Sequence, residues 1–382
     1  MIYLDYNATT PLDPRVLEAM MPFFRGEFGN AASRHHALGA RASEAIEKAR
    51  AQVASVIGAD PREIYWTSGA TESDNLAIKG VAMSPAYRSK GNHIVTVATE
   101  HRAVLDTCEF LESQGFKVTY LPVDRDGDVD LPRLSKAISE KTILVSVMSA
   151  NNETGVLHPI ATIGLLCKER GILFHTDATQ SFGKVPIDVE AEGIDLLSLS
   201  AHKICGPKGV GALYVRRRNP HVRCEPLIHG GGHEKGLRSG TLNVPAIVGI
   251  GAAAAICREE MPAERERVGK LRDLLEWELR PAGAQVNGAF TRLPNTTNLS
   301  FPGVDAEKLI KQMPEIAVST SSACTSAMMQ PSYVLGAMGA SEDQIRGSVR
   351  FSLGRFTTEE EIRSAARQIA EAVRSLRERS AR

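Results

Sequence analysis

A lysine that follows an apolar stretch of the sequence is the first residue whose chemistry stands out. The run Leu196–Leu199 leads into Ser200, His202 and Lys203, and the glycine-rich turn Gly206–Gly211 comes next. This order predicts a buried strand that ends at a lysine with small and polar neighbours. A buried lysine is costly unless its amine is bound to another group. A Schiff base with a carbonyl compound satisfies that requirement.

An aspartate ends another apolar strand upstream of this lysine. The pair Leu173–Phe174 leads to Asp177 at the carboxyl end of the predicted strand, and ligands of open α/β sheets bind at that end. A carboxylate there would keep the nitrogen of a pyridine ring protonated, so that the ring acts as an electron sink. Asp177 and Lys203 together indicate pyridoxal phosphate as the cofactor. The alternative for Asp177 is a solvated aspartate in a loop.

Two further groups of polar residues are suited to a phosphate. The stretch Thr67–Ser73 predicts a strand end, a tight turn and the start of a helix. The free N–H groups of a helix N-terminus, with the Thr71 hydroxyl, form an anion site. Ser200 and His202 offer a second phosphate contact beside Lys203. The alternative is that the serines and threonines are ordinary helix caps.

Three more side chains are candidates for acting on a substrate. His101 follows a predicted strand, where an imidazole can stack on a flat ring and move protons, although a lone histidine is more often structural. Cys324 lies in the small, polar run Ser319–Ala327, which predicts an exposed loop with a reactive thiol or an incidental surface cysteine. Arg350 lies within an apolar strand, so its guanidinium needs a carboxylate, either from a substrate or from an internal salt bridge.

The composition predicts a globular chain of about two domains. The protein has 382 residues, of which 43% are hydrophobic and 24% charged, with 45 Lys and Arg against 45 Asp and Glu. This balance argues against nucleic-acid binding driven by bulk charge. The longest apolar run, Ile247–Cys257, is too short to span a bilayer, and no targeting segment is apparent. Six cysteines without a C-x-x-C pair fit a reducing cytoplasm and suggest neither a zinc site nor a redox pair.

Apolar strands alternate with helices from Pro61 onward, which predicts an α/β fold: a mostly parallel sheet covered by helices on both faces. The predicted strands are Ile64–Thr67, His93–Val97, Val118–Leu121, Thr142–Ser149, Leu173–His175, Leu196–Ser198 and Ala212–Val215. From about Pro262 a charged helix, Ala263–Leu279, and an α+β pattern with a strand at Ile316–Ser319 follow. We therefore expect a large domain over residues 16–260. A smaller α+β domain, made from residues 1–15 and 261–382, would carry the Cys324 loop.

Taken together and in order, these motifs closely resemble the cysteine desulfurases, which are pyridoxal phosphate enzymes of fold type I in the class V aminotransferase group. The resemblance covers essentially the whole chain, and the loop around Cys324 is similar to that of the NifS/IscS branch. The matching stretches are Tyr3–Pro11, Ser68–Asn75, Thr99–His101, Asn151–Gly155, His175–Gln180, Ser200–Lys203, Arg238–Thr241 and Ala323–Ser326.

The resemblance implies a role for each matching residue. Lys203 would form the internal aldimine with the cofactor, and Cys324 would attack the sulfur of bound cysteine, leaving alanine and an enzyme persulfide. Arg350 and Asn7 would bind the substrate. The other implied cofactor contacts are His101 stacked on the ring, Asp177 at the ring nitrogen, Asn152 and Gln180 at the ring oxygen, Ala70, Thr71, Ser200 and His202 at the phosphate, and Thr241 at the phosphate of a partner subunit.

The implied protein is a cytoplasmic homodimer that passes sulfur to an acceptor protein, with no membrane or direct nucleic-acid binding. The acceptor would serve iron–sulfur cluster assembly, tRNA thiolation or DNA phosphorothioation, and Cys324 would be a transient iron–sulfur ligand at most. Ser321 stands where the family usually has glycine, and the chain ends soon after its last helix, where housekeeping IscS proteins carry a further tail. The alternatives are a selenocysteine lyase, another class V aminotransferase-type enzyme, or a sulfur-relay scaffold on an inactive fold.

Overall fold

The computed structural model describes residues 1–33, 35–320 and 331–380, and in this part of the chain thirteen strands and twelve α-helices are present. The strands are β1 Ile2–Tyr3, β2 Ile64–Thr67, β3 His93–Val97, β4 Lys117–Leu121, β5 Thr142–Ser146, β6 Leu173–Asp177, β7 Leu196–Ser200, β8 Gly211–Val215, β9 Gln285–Asn287, β10 Thr296–Ser300, β11 Ile316–Ala317, β12 Ser319–Thr320 and β13 Ser348–Ser352. The helices are α1 Pro14–Arg25, α2 Ala37–Val56, α3 Ala70–Met83, α4 Pro85–Arg88, α5 Arg102–Ser113, α6 Leu131–Ala137, α7 Ile160–Glu169, α8 Val244–Leu279, α9 Ala306–Gln312, α10 Tyr333–Ala337, α11 Glu342–Arg346 and α12 Glu359–Ser380.

A seven-stranded sheet forms the centre of the molecule, with the strand order β2-β8-β7-β6-β5-β3-β4. All neighbouring strands are parallel except β8, which runs antiparallel to both β2 and β7. In the register of β6 and β7, Asp177 lies opposite Ser198. The carboxyl ends of β6 and β7 therefore meet at one edge of the sheet, which brings Asp177 near the Lys203 turn. The predicted fold class, a mostly parallel sheet in an α/β fold, is confirmed.

Helices cover both faces of this sheet, as predicted. The adjacent residues Tyr65 and Trp66 of β2 point to opposite faces and belong to separate apolar clusters. The cluster around Trp66 includes residues of α1, α2, α7 and α8, whereas the cluster around Tyr65 includes residues of α3 and α5. Burial on both faces explains why β3, β5, β6 and β7 consist entirely of buried residues.

A second, antiparallel sheet with the order β12-β13-β10-β9 has its own apolar cluster, which contains residues of α9, α12 and the end of α8. Leu4 from the N-terminus is part of this cluster. The strand predicted at Ile316–Ser319 is two strands in the structure: β11 pairs with β1 in parallel, and β12 pairs with β13. The chain changes partner between these two short strands, which hydropathy alone does not signal.

One long helix joins the two regions. The sequence has an apolar run at Ile247–Cys257 and predicts a separate charged helix at Ala263–Leu279, but the structure has a single helix of 36 residues, α8, which continues through Pro262. At 1.5 Å per residue the helix is about 54 Å long. The predicted boundary between residues 260 and 261 falls inside α8, and the division into two domains stays a prediction. Among the described residues, no helix has the length and apolar content needed to cross a membrane.

Candidate active site

A cavity of about 500 Å³ opens at the carboxyl edge of the central sheet. Ten residues predicted from the sequence to bind cofactor or substrate line it together. They are Asn7, Ala70, Thr71, His101, Asn152, Asp177, Gln180, Ser200, His202 and Lys203. Arg350 and Thr241 do not line this cavity, and Cys324 lies outside the residues that the structure describes.

Lys203 lies in a short 3-10 turn directly after β7. Its Nζ donates hydrogen bonds to two main-chain carbonyls of the N-terminal segment, those of Asn7 and of Ala8, the latter at 2.8 Å. That segment is anchored on both sides. The Asn7 amide donates to the Ser352 hydroxyl at 2.8 Å, and the Thr10 amide donates to the His202 carbonyl at 3.0 Å. The lysine amine is therefore held in place by backbone oxygens that come from the start of the chain.

Asp177 ends β6 with its side chain buried at the cavity, and its Oδ1 accepts a hydrogen bond of 2.8 Å from the Thr179 amide. Two other carboxyl groups are buried nearby, those of Asp74 and Glu100. Burial raises the pKa of both well above the usual range, and the charge of Asp177 raises the pKa of both further. Burial beside Asp177 therefore favours the neutral form of both Asp74 and Glu100.

His101 is the N-cap residue of α5, and its Nδ1 accepts a hydrogen bond of 3.1 Å from the Ala103 amide. Burial lowers the pKa of His101, and the charge of Lys203 lowers it too, although Asp177 opposes these effects. An imidazole whose Nδ1 accepts a hydrogen bond carries its hydrogen on Nε2 when it is neutral. The ring is thus held at the cavity by its own helix and can stack on a flat ligand.

A cradle for an anion is formed where α3 begins. Gly69 is the N-cap residue of α3, with φ +156°, and within the described residues no side chain caps the helix. Free N–H groups at a helix N-terminus attract anions. The Thr71 and Ser200 hydroxyls and the His202 imidazole lie around this point. Burial and nearby lysines lower the pKa of His202 to about 4, so the ring offers a neutral hydrogen bond.

These groups fit pyridoxal phosphate, and a buried polar atom supports this assignment. The Oδ1 atom of Asn152 is buried, and no residue in the described part of the chain forms a hydrogen bond with it. Asn152 lines the cavity together with an amine, a carboxylate and the uncapped helix N-terminus. A carbonyl group, a pyridine nitrogen and a phosphate are the complements of these three features.

Arg350 is buried in β13, where it forms an internal salt bridge. Its Nη2 lies 2.8 Å from Oδ1 of Asp5, and its Nη1 donates to the Asn152 carbonyl at 3.1 Å. The Nε group is buried and has no hydrogen-bond partner in residues 1–33, 35–320 and 331–380. The structure therefore contains the salt bridge that the sequence left open as the alternative. Binding of a substrate carboxylate by Arg350 stays a prediction, and Asn152 connects this residue to the cavity.

The role predicted for Thr241 involves a second subunit. Thr241 is exposed and is not among the residues that line the cavity; Leu227 and Ile228, in the same connection between β8 and α8, are exposed by 38% and 41%. Its role toward a partner subunit stays a prediction. The roles of Cys324 and the effect of Ser321 also stay predictions, because both residues lie outside the described part of the chain.

The other five cysteines are poor candidates for a reactive thiol. Burial raises the pKa of four of them to about 12, and that of Cys205 rises as well; the four are Cys108, Cys167, Cys224 and Cys257. All but Cys224 are buried. A thiol reacts as its thiolate, so a raised pKa makes these five side chains less reactive.

Sequence analysis missed several residues that line the cavity, among them Thr9, Met148, Thr179 and Lys208. Signals existed for two of them. Lys208 belongs to the glycine-rich turn Gly206–Gly211, and a cation in such a turn suits a phosphate. Thr179 follows Asp177 by two residues, the spacing at which an aspartate accepts a hydrogen bond from the backbone. Nothing in the sequence pattern distinguishes Met148 or Thr9 from packing residues.

Comparisons with known proteins agree with this geometry. Residues 2–364 match the Aminotransferase class-V family. A protein from Anaeromyxobacter sp. (strain Fw109-5), described as cysteine desulfurase IscS, is 58% identical over 383 residues, covering 99% of this chain and 94% of the relative. A solved structure described as a NifS-like protein has a TM-score of 0.91 at 41% identity and covers 98% and 99% of the two chains. Another, SspA in complex with cysteine, has a TM-score of 0.82 at 40% identity over 94% and 100%.

Proposed function

The chain belongs to the class-V aminotransferase family and within it to the cysteine desulfurases, and we propose that it converts L-cysteine to L-alanine with pyridoxal phosphate and transfers the sulfur to an acceptor. One observation carries this proposal. A single cavity contains the Lys203 amine, the Asp177 carboxylate and the uncapped N-terminus of α3. These are the three groups that this cofactor needs, and relatives that this chain resembles over nearly its full length are named cysteine desulfurases.

Pyridoxal phosphate supplies an electron sink that weakens the bonds around Cα of an attached amino acid. The residues of the cavity have separate tasks in holding it. Lys203 provides the amine that binds the carbonyl group, and Asp177 keeps the ring nitrogen protonated. The helix start at Ala70 and Thr71 holds the phosphate. His101 stacks on the ring, and its neutral imidazole moves protons at the substrate.

The substrate carboxylate is bound by Arg350 in this proposal, with Asn7 as a further substrate contact. The guanidinium uses one nitrogen for Asp5 and another for the Asn152 carbonyl. A guanidinium has five N–H donors in a fork that matches a carboxylate. The remaining donors are therefore sufficient for the carboxylate of cysteine, which enters from the side of Asn152.

Cys324 accepts the sulfur in this proposal. Its thiolate attacks the substrate sulfur, and the new S–S bond forms as the bond between the substrate sulfur and Cβ breaks. The electron pair of the broken bond stays with the carbon fragment, which takes up a proton and leaves as alanine. No external oxidant or reductant is needed, since the sulfur remains on the enzyme as a persulfide. The high pKa values of the other five cysteines support this choice.

The last step of the proposed function is transfer of the sulfur to another protein. We propose that a protein acceptor, either an iron–sulfur scaffold or a thiolation enzyme, takes the sulfur from Cys324 in the cytoplasm. The working unit is a homodimer in which Thr241 reaches the phosphate in the other subunit. The exposed side chains of Leu227 and Ile228 in the same segment support this placement of the subunit contact.

The test uses the purified protein with added pyridoxal phosphate. The protein should turn yellow, release alanine from L-cysteine and carry a persulfide, whereas Lys203→Ala should lose the visible absorption band. Wild-type protein that stays colourless would favour a scaffold on an inactive fold. Coloured protein that acts on selenocysteine but not on cysteine would favour a selenocysteine lyase.

A further inference from the structure

A second lysine lies behind the cavity and contacts one of its residues. The Nζ of Lys184 donates a hydrogen bond of 3.3 Å to Oε1 of Gln180. The amide of the same glutamine donates from Nε2 to the Asn7 carbonyl at 3.1 Å. Lys203 donates to that carbonyl as well. These contacts form a continuous chain from Lys184 through Gln180 to the backbone oxygen that holds Lys203.

The two hydrogen bonds of Gln180 fix which end of its amide faces which neighbour. A lysine amine donates, so the amide atom beside Lys184 is the oxygen. A carbonyl oxygen only accepts, so the amide atom beside Asn7 is the nitrogen. An NH2 group has two hydrogens, and the bond to Asn7 uses one of them. Since Gln180 lines the cavity, its other N–H is available for a ligand there.

Lys184 does not line the main cavity. It lines a small cavity of about 40 Å³ on the far side of Lys203, which is room for a few water molecules. The titratable and charged groups that face this lysine or line the same cavity are Tyr6, Lys203, Cys205, Cys257, Glu264, Arg265 and Arg355. Burial, with the charge of Lys203 as the second cause, lowers the pKa of Lys184 to about 7. An amine donates hydrogen bonds in either charge state.

We propose that Lys184 is a positioning residue that holds the Gln180 amide so that it presents an N–H, not its carbonyl, to the ring oxygen of the cofactor. The inference rests on the proposed function, because it assumes that pyridoxal phosphate occupies the cavity. A donor at the ring oxygen stabilises the negative charge on that oxygen. The visible absorption band of the bound cofactor should therefore change with pH at a lower midpoint than it would without this donor.

The first experiment is a pH titration of that band in the loaded enzyme. Lys184→Met removes the donor and keeps a side chain of similar length, so the midpoint should rise by about one pH unit, the equivalent of one hydrogen bond to a charged oxygen. Lys184→Arg keeps a donor and should leave the midpoint near the wild-type value. If Lys184→Met does not fold, Lys184→Ala replaces it. A midpoint that is the same in the wild type and the folded variant overturns the proposal.

A double-mutant cycle separates positioning from the charge of the lysine itself. In the Gln180→Ala background no amide remains to be oriented, so Lys184→Met should cause no further shift. A shift of the same size in both backgrounds overturns the proposal, because the lysine would then act without the glutamine.

Failure of this inference is distinguishable from failure of the proposed function. If the protein is not a pyridoxal phosphate enzyme, the wild type shows no visible band. If only the inference fails, the visible band is present and cysteine is converted. In that case Lys184→Met either leaves the midpoint of the band unchanged or shifts it equally with and without the Gln180 side chain.

Discussion

The guanidinium of Arg350 and the carboxylate of Asp5 lie 2.8 Å apart, although the two residues are separated by 345 positions in the chain. The pair joins β13 to the N-terminal segment that contains Asn7. Arg350 is fully buried and Asp5 is partly buried, so the interaction is shielded from water. A substrate carboxylate that binds Arg350 therefore meets a guanidinium that already has one anionic partner.

Competition between Asp5 and the substrate leads to the first prediction. Arg350→Gln should raise KM for cysteine by about ten- to a hundredfold, because charge-assisted hydrogen bonds to the carboxylate are lost. Asp5→Asn should instead lower KM a few-fold, since a neutral amide competes less strongly for the guanidinium. Steady-state kinetics over a range of cysteine concentrations measures both effects. An increase in KM for Asp5→Asn would mean that the aspartate orients Arg350 and does not compete.

The second prediction contrasts two buried carboxyl groups. In the proposed site Asp177→Asn removes the charge beside the ring nitrogen, and it should lower kcat by about a hundredfold or more, the usual cost of losing a preorganised electrostatic partner. Asp74→Asn should change kcat by less than about twofold, because burial and the charge of Asp177 raise the pKa of Asp74 and favour its neutral form, which asparagine resembles. The measurement is alanine formation at saturating cysteine. A large loss in Asp74→Asn would show that Asp74 carries a charge that the reaction needs.

The third prediction concerns the sulfur-accepting thiol. Cys324→Ser should retain the cofactor and its visible band but form no persulfide from cysteine, because a serine hydroxyl cannot take up sulfur. Cys224→Ser is the matched control, since Cys224 is the least buried of the described cysteines and should be dispensable. Mass spectrometry of the protein after a single turnover detects the added sulfur. Normal sulfide release by Cys324→Ser with dithiothreitol would contradict the assignment.

The fourth prediction follows from a buried histidine. His158 is buried, neither ring nitrogen has a hydrogen-bond partner in the described residues, and burial lowers its pKa to about 4. The unfolded chain has the higher pKa, about 6.5, and takes up a proton first as the pH falls. The neutral ring therefore makes its full contribution to stability above pH 6.5. That contribution is lost progressively as the pH falls from about 6.5 to the folded pKa of about 4.

Urea unfolding of the wild type and His158→Leu checks this effect. Between pH 7 and pH 4 the unfolding free energy of the wild type should fall relative to that of the variant by about 2 to 3 kcal/mol. His221→Leu is the control, because His221 is exposed. Parallel pH curves for the wild type and His158→Leu would show that His158 does not titrate in this way.

Much of the site could be predicted because it lies where parallel strands end. Asp177 is the last residue of β6 and Lys203 follows β7, and the strand order brings the carboxyl ends of these neighbouring strands to one edge of the sheet. The start of α3 follows β2, which is parallel to β6 and β7. A regular pattern of apolar residues was therefore enough to group these three features.

The contacts that depend on distant packing could not be predicted in this way. The groups that hold the Lys203 amine are backbone carbonyls of Asn7 and Ala8, and every residue has such a carbonyl. The Arg350 partner, Asp5, is one of many aspartates in the sequence. Pro262 and the change from apolar to charged residues suggested an interruption in α8, yet the helix continues, since both halves are packed along their length.

The N-terminal segment has a consequence for how the protein is made. Strand β1 pairs with β11, Ile316–Ala317, and the Asn7 amide donates to the Ser352 hydroxyl. A ribosome that adds about 5 to 20 residues per second needs roughly 15 to 60 s to reach Ile316 after Ile2. The residues around Ile2 and Asn7 must therefore wait until residues 316–317 and Ser352 have been synthesised, and only then can the part of the cavity wall that holds Lys203 form.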